Sequence, residues 1–309
     1  MTTTDAESKK VDSPKEDQDN GDVNLATVDQ VRREQRQMLF RSPAFIIGVA
    51  IIVFWILSAI FPDLLAIWGE KESVVDASGE SLRRTSPDGT AWLGTDRLGR
   101  DVYSRVIYGA RSILLQAPTA TILGAIVGTL VGMTTGYFRG WVDEIASRVL
   151  EAILSVPMIL LAIVIIFTFG ATDIVVIGVI AFLFVPPVAR TVRAATLSEA
   201  QLDYVTAAKM RGENGLFVIT REIFPNIVGV VIVELTVRLG YAVFTLATLA
   251  FLGLTSGNAT DADWGVDVAQ NYNQIGSGVW WPTIFPALAI ASLVIAINLV
   301  ADSIEQATK

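Results

Sequence analysis

Six apolar runs limit what this chain can fold into. They lie at about 44–61, 113–136, 152–170, 174–189, 227–254 and 282–300. Each is near the roughly 20 residues that a helix needs to cross a hydrocarbon layer, although the fourth is short and carries Pro186-Pro187. Because that layer offers no water to a free N–H or C=O, the runs are expected to be helices. The predicted fold class is an all-α membrane protein with six transmembrane helices. Composition agrees, with 52% hydrophobic and only 17% charged residues among 309.

Composition also removes whole classes of chemistry. There is no histidine and no cysteine, so the commonest general base, the Ser/His/Asp and Cys/His nucleophile systems and histidine-ligated zinc are absent. No Gly-Lys dipeptide occurs, so there is no phosphate-binding P-loop, and any ATP must be hydrolysed by another chain. The net charge of −8 owes much to the N-terminal tail and gives no pointer to a nucleic-acid partner.

The domain organisation follows from the runs. Residues 1–37 read as an acidic tail, disordered or partly helical, and not as a cleaved signal. Residues 38–62 hold the first transmembrane helix and 63–112 an extracytoplasmic loop. Residues 113–304 hold a five-helix core that contains a polar cytoplasmic segment at 203–226. Arg32, Arg33, Arg36 and Arg41 precede the first span and place the N-terminus in the cytoplasm. Six crossings then return both termini, and the 203–226 segment, to that side. Arg190, Arg193, Lys209, Arg211 and Arg221 fit this topology. The bases of the 63–112 loop, Lys71, Arg83, Arg84, Arg97, Arg100, Arg105 and Arg111, run against it. That loop is long and also carries acids, conditions under which the positive-inside rule weakens, so parity is kept.

Within 203–226, Asp203 is expected to cap a helix beginning at Tyr204 and roughly 12 Å long. Lys209 and Arg211 suit its carbonyl end, and Gly212 can take the left-handed conformation that ends it. Asn214 can cap a second turn, and Pro225 is expected to stop it before the next span.

Here the residues resemble a known family. Thr206-Ala207-Ala208, three residues, Gly212, nine residues and then Glu222-Ile223-Phe224-Pro225 resemble the EAA loop of ABC-importer permeases, with Thr206 in place of Glu and Phe224 in place of Leu. A second match is longer. Leu93-Gly94-Thr95-Asp96-Arg97-Leu98-Gly99-Arg100-Asp101, then Ser104-Arg105 and Tyr108-Gly109-Ala110-Arg111-Ser112, is similar to the segment before the second span of peptide-type permeases. Its glycines, aspartates and arginines suggest tight turns held by charge-assisted hydrogen bonds, a folded collar at the membrane rim, then a short helix over 102–108. Leu150 to Pro157, Ala250-Phe251-Leu252-Gly253-Leu254 and Asp263-Trp264-Gly265 also resemble the family, so that the likeness covers about 40–306.

The resemblance implies the C-type subunit of the dipeptide, oligopeptide and nickel branch, with a type I ABC-importer permease core. It implies as partners a homologous permease, two ATP-binding subunits and an extracytoplasmic substrate-binding protein in a prokaryotic plasma membrane. ATP and Mg2+ would sit on partner subunits, and no cofactor is expected in this chain. Thr206, Ala207, Ala208, Lys209, Gly212 and Pro225 would fit the loop into a groove on an ATPase, whose closure would shift the path between inward-open and outward-open populations. Peptides lead as cargo, with nickel chelates or another small solute as alternatives.

Other residues leave alternatives open. Gly124, Gly128 and Gly132, each four residues apart, form a small-residue stripe suited either to packing within the chain or to a partner permease. Glu234 and Arg238 share a helix face in the fifth span, lining a path, docking on a partner, or neutralising each other near the cytoplasmic end. Pro157 and Pro186-Pro187 are expected to break or kink their helices. Asp261, Asp263 and Asp267 form an acidic external loop, solvated or able to steer a binding protein. Trp280 and Trp281 fit an interfacial belt, and Asn258-Ala259-Thr260 reads as an accidental glycosylation sequon. An intramembrane enzyme would need catalytic pairs that the spans do not supply. An ion-coupled secondary transporter would have only Glu234 and Arg238 as charged candidates.

Overall fold

A computed structural model describes residues 41–255 and 260–308. The tail expected over 1–37, its arginines Arg32, Arg33 and Arg36, and Asn258 of the sequon lie outside the described residues. Helix α1 (Pro43–Ile60) opens with the Ser42 hydroxyl accepting from the Phe45 amide and Pro43 in the first turn, where its missing N–H is harmless. A single turn, α2 (Pro62–Leu65), follows. The main elements after it are α3 (Val102–Phe138), α4 (Trp141–Leu154), α5 (Met158–Phe169), α6 (Asp173–Glu199) and α7 (Asp203–Met210). Then come α8 (Gly215–Phe251), α9 (Trp264–Asn271), a 3-10 turn (Tyr272–Ser277) and α10 (Trp281–Thr308). Among the described residues the only β-type pairing is three isolated bridges in the rim, Ser73 with Arg100, Val75 with Ser81 and Thr95 with Asp101.

Five helices, α1, α3, α6, α8 and α10, are long and apolar enough to cross a membrane, and counting the bent pair α4 and α5 as one broken span gives six. The third run is therefore not one straight crossing over 152–170. It bends by 88° at Ser155-Val156-Pro157, where the proline was expected to break the helix. The 12-residue α5 spans only roughly 18 Å, short of a hydrocarbon core.

Three other helices run further than the sequence suggested. The short helix expected over 102–108 is the first turns of the 37-residue α3, which begins where Asp101 accepts from the Ser104 amide at 2.8 Å. Helix α6 continues through Pro186 and Pro187 instead of breaking. Its lost amide donors are offset by packing along the whole of α3, with Phe184, Val188 and Val192 buried in the seam. Pro225 does not stop the preceding turn either. The ladder widens to a π-helical stretch, Val218–Ile223, in which the Phe224 amide reaches back to Ile219 O, so the proline's missing donor falls at a seam in the hydrogen bonding.

The core has two parts. Near the rim Trp55, Ile113, Ile180, Phe184, Leu249, Trp264 and Leu293 pack together, and at the other end Met133, Val192, Val205, Val218, Ile223 and Ile227 do. The Trp264 indole donates to Val106 O at 2.8 Å, and the Trp55 indole to the Ser292 hydroxyl at 3.0 Å. Outward faces stay apolar, with Ile46, Phe54, Ile126, Leu130, Phe167, Phe244 and Ile295 all exposed.

The rim is built on buried charge. Asp96 accepts from the Leu98 and Arg100 amides and pairs with the Arg100 guanidinium, while Gly94 and Gly99 take positive φ in the turns around it. Arg105 donates from Nε to Asp267 at 2.9 Å and from both terminal nitrogens to the carbonyls of Thr260 and Asp261. Lys71 meets Asp261 at 2.6 Å. Burial pushes the Asp267 carboxyl up to about 6, against the pull of Arg105, and leaves it ionised at neutral pH. The acidic loop is therefore neither merely solvated nor free to steer. Asp261 and Asp267 are partnered by bases of the 66–101 segment and of α3, and Asp263 caps α9. Trp281 is likewise no belt residue. It is buried, with its indole donating to Thr95 O at 3.0 Å, while Trp280 remains half exposed.

Removing one partner of a buried pair strands the other charge. Arg105→Ala is expected to destabilise the folded chain by roughly 3–5 kcal/mol, measured by thermal unfolding in detergent, whereas Arg97→Ala, at an exposed position, should stay within about 0.5 kcal/mol of the parent.

Candidate functional site

Helix α7 stands at the end of the bundle away from the rim, between the C-terminus of α6 and the start of α8. Its eight residues match the expected length of roughly 12 Å. Asp203, however, is not the cap. The helix starts one residue earlier than expected, Leu202 occupies the cap position, and Asp203 contributes only its charge to the positive helix end. Gly212 has φ of +81° and ends the element as anticipated, and Asn214 Oδ1 accepts from the Phe217 amide at 2.7 Å.

Periodicity divides α7 into two faces. Val205 and Ala208 are fully buried against Val218, Ile219 and Ile223 of the π-helical stretch and against Met133, Val188 and Val192. Asp203, Thr206, Ala207 and Met210, spaced i, i+3, i+4 and i+7, face outward. Ala208 therefore fastens the helix to the bundle and is not part of its exposed surface. Pro225 is exposed, in the first α-helical turn after the π-helical stretch.

Polar contacts hold α7 in place. The Tyr204 hydroxyl donates to Glu199 at 2.6 Å and accepts from Asn226 at 3.1 Å; burial and the Glu199 contact hold it up at about 12. Lys209 lies 5.0 Å over the Tyr137 ring, and Arg211 meets Glu222 at 3.2 Å. Exposed apolar groups surround the outward stripe. Met210 is 83% and Leu216 70% exposed, with Leu202 and Phe217 beside them. The sequence reading missed Met210, although it falls four residues after Thr206 on the same face.

The other candidate residues lie elsewhere. Gly124, Gly128 and Gly132 face α6 of this same chain, not a path or a partner. A Cβ on Gly124 would meet Ala181 O at 2.7 Å, on Gly128 Val188 at 2.7 Å, and on Gly132 Ala189 O at 2.6 Å. Arg238 Nε donates to Glu234 at 3.0 Å, and Glu234 accepts from the Thr191 hydroxyl of α6 at 2.8 Å. The pair neutralises itself, about two turns into the apolar run that begins near residue 227. Because α8 starts at Gly215, Glu234 lies about 28 Å along it, near the middle.

The glycine contacts are testable. Gly132→Ala is expected to destabilise the chain by about 1–3 kcal/mol in thermal unfolding. Gly229→Ala, with nothing within 4 Å of its would-be Cβ, should be neutral or stabilise by about 0.5–1 kcal/mol.

Comparison with known proteins agrees with this architecture. Residues 128–309 match the family described as binding-protein-dependent transport system inner membrane component. The chain is 33% identical over 276 residues to the dipeptide transport system permease protein DppC of Alkalihalophilus pseudofirmus, covering 89% of this chain and 88% of the relative. It is 35% identical over 266 residues to a putative peptide transport system permease protein of Brucella suis, covering 86% and 87%. It is also 35% identical over 223 residues to the glutathione transport system permease protein GsiD of Pectobacterium atrosepticum, covering 72% and 73%. Among solved structures, a chain of the MetNI methionine ABC transporter in inward-facing conformations aligns with a TM-score of 0.54 at 18% identity. It covers 66% of this chain and 97% of that one, and at that identity the likeness shows the fold, a type I permease. With its spans, its fold and a family match over more than half its length, the chain belongs to the binding-protein-dependent transport system inner membrane components, the permeases of ABC importers.

Proposed function

We propose that this chain pairs with a homologous permease to form the path of an ATP-driven peptide importer, and that α7 transmits ATPase movement to the bundle. The observation that carries the coupling role is the two-faced α7. Val205 and Ala208 lock it to α6 and α8, while Thr206, Ala207 and Met210 present a small, partly apolar surface. Such a helix suits a groove on a partner. A force on that surface would pass to α6 and α8 without being lost in a flexible loop, because Gly212 and Asn214 set a tight turn directly into α8.

The α7 end takes the cytoplasmic side in this reading, with both termini there and the rim outside. That side follows from the parity of six crossings and not from charge: Arg190, Lys209 and Arg221 at the α7 end have no carboxylate partner among the described residues, but neither do Arg83, Arg84, Arg97 and Arg111 of the rim. Cargo follows the relatives. Dipeptide, peptide and glutathione permeases cover most of the chain, and glutathione is itself a modified tripeptide, so short peptides are the cargo class. Two ATPase subunits beneath the permeases and an extracytoplasmic binding protein complete the assembly.

The test is purification of the C-terminally tagged chain from solubilised membranes, with its partners identified and substrate-stimulated ATPase measured. Co-purification of a second permease and P-loop ATPases is expected. Met210→Asp should leave the chain folded but lower stimulated ATPase and import at least about tenfold, since a charge on the outward surface blocks a fitted contact. Gly212→Trp should lower both as well, by straining the turn at φ of +81° that sets α7 against α8. Normal stimulated transport in both variants would sink the coupling role.

A further inference from the structure

A cleft of about 720 Å³ opens at the rim between α3, the start of α6, Thr255 and residues 261–266. Its size suits a small ligand. Five carboxylates line it, and each already has a donor from the protein. Asp63 accepts from the Tyr108 hydroxyl, Glu70 from the Ala262 amide at 2.7 Å, and Asp173 from Gln116 at 2.8 Å. Asp261 meets Lys71, and Asp263 accepts from the amides of α9. Arg111, in the same cleft, is different. It is exposed on the α3 wall and makes no hydrogen bond or ion pair with any described residue. Its neighbours in the segment, Arg100 and Arg105, are buried and saturated.

The cleft therefore combines an unsatisfied guanidinium with carboxylates such as Asp63 and Glu70, whose donors, a phenol and an amide, are neutral. A guanidinium is built to bind a carboxylate through two parallel hydrogen bonds, and a carboxylate with lone pairs to spare takes an ammonium. A purely anionic ligand would be repelled by the acidic wall and a purely cationic one would leave Arg111 unmet. A ligand with both charges satisfies both. We propose that this cleft receives the charged ends of a short peptide entering the path, Arg111 taking the C-terminal carboxylate while Asp63 and Glu70 face the N-terminal ammonium. The assignment rests on the peptide-importer reading above and on its topology, which puts the rim on the side where cargo arrives.

The experiment uses the assembled transporter in proteoliposomes with its binding protein and a labelled dipeptide. Arg111→Gln is expected to lower the maximal import rate about tenfold, the scale of one charge-assisted contact. The binding-protein concentration giving half-maximal import should not change. The chain has no native cysteine, so in Arg111→Cys the new thiol is the only one in this chain, and the parent transporter treated with the same reagents gives the background from its partners. A cationic methanethiosulfonate reagent should restore import and an anionic one should not, a pattern that a merely structural role would not give. Unchanged import by Arg111→Gln would overturn the proposal. So would a loss confined to the half-maximal binding-protein concentration, which would make Arg111 a docking contact for a protein carboxylate. If the parent transporter imports no peptide with ATP, the peptide-importer reading itself fails, whatever Arg111 does.

Discussion

The close approach of α3 and α6 is the contact on which the rest of the fold depends. In a bilayer there is no hydrophobic drive to bring two apolar helices together, so association rests on van der Waals packing, and only small residues let backbones come near. Gly124, Gly128, Gly132 and Gly136 supply that surface over about four turns, each against a backbone carbonyl or a β-branched side chain of α6. This seam sets the distance between the two ends of the bundle. At one end it fixes Gln116 against Asp173 beside the rim cleft, and at the other it leads into the cluster that seats α7.

Buried charge organises the rim in a complementary way. A segment with seven bases looks wrong outside a membrane when read as a string of signs, because the string does not show which charges are already spent. Arg100 and Arg105 are almost fully buried, and their partners Asp96 and Asp267 are close in space although Asp267 is 162 residues from Arg105 in sequence. Those pairs take Arg100 and Arg105 out of the count, and Lys71 meets Asp261, while Arg83, Arg84, Arg97 and Arg111 have no carboxylate partner among the described residues.

Much of the fold was legible because the bilayer restricts the options so strongly. Run length placed the helices, and Gly212 and Asn214 announced the turn after α7 through conformations few other residues favour. What stayed hidden depended on tertiary context. A proline reads locally as a stop, yet Pro186 and Pro187 are carried by packing on α3, and Pro225 by a change in hydrogen-bond register that no single residue signals. The burial of Ala208 beside the exposure of Ala207 could have been derived from helix period alone, had the partner face been known. The role of Arg111 was invisible, because being unpaired is a property of surroundings and not of a motif.

The two ends of the bundle are also fastened differently. Arg105 ties α3 to α9, and α9 packs on α8 and α10, so these helices are clasped at one end by a contact that cannot part without leaving a buried charge unpaired. The opposite end has a more exposed tie, Arg193 of α6 on Asp143 of α4. There α7 is seated by the apolar packing of Val205 and Ala208 together with hydrogen bonds from Tyr204 to Glu199 and from Asn226 to Tyr204. The rim thus holds the bundle through ion pairs shut away from water, and the end that carries α7 through pairs that water still reaches.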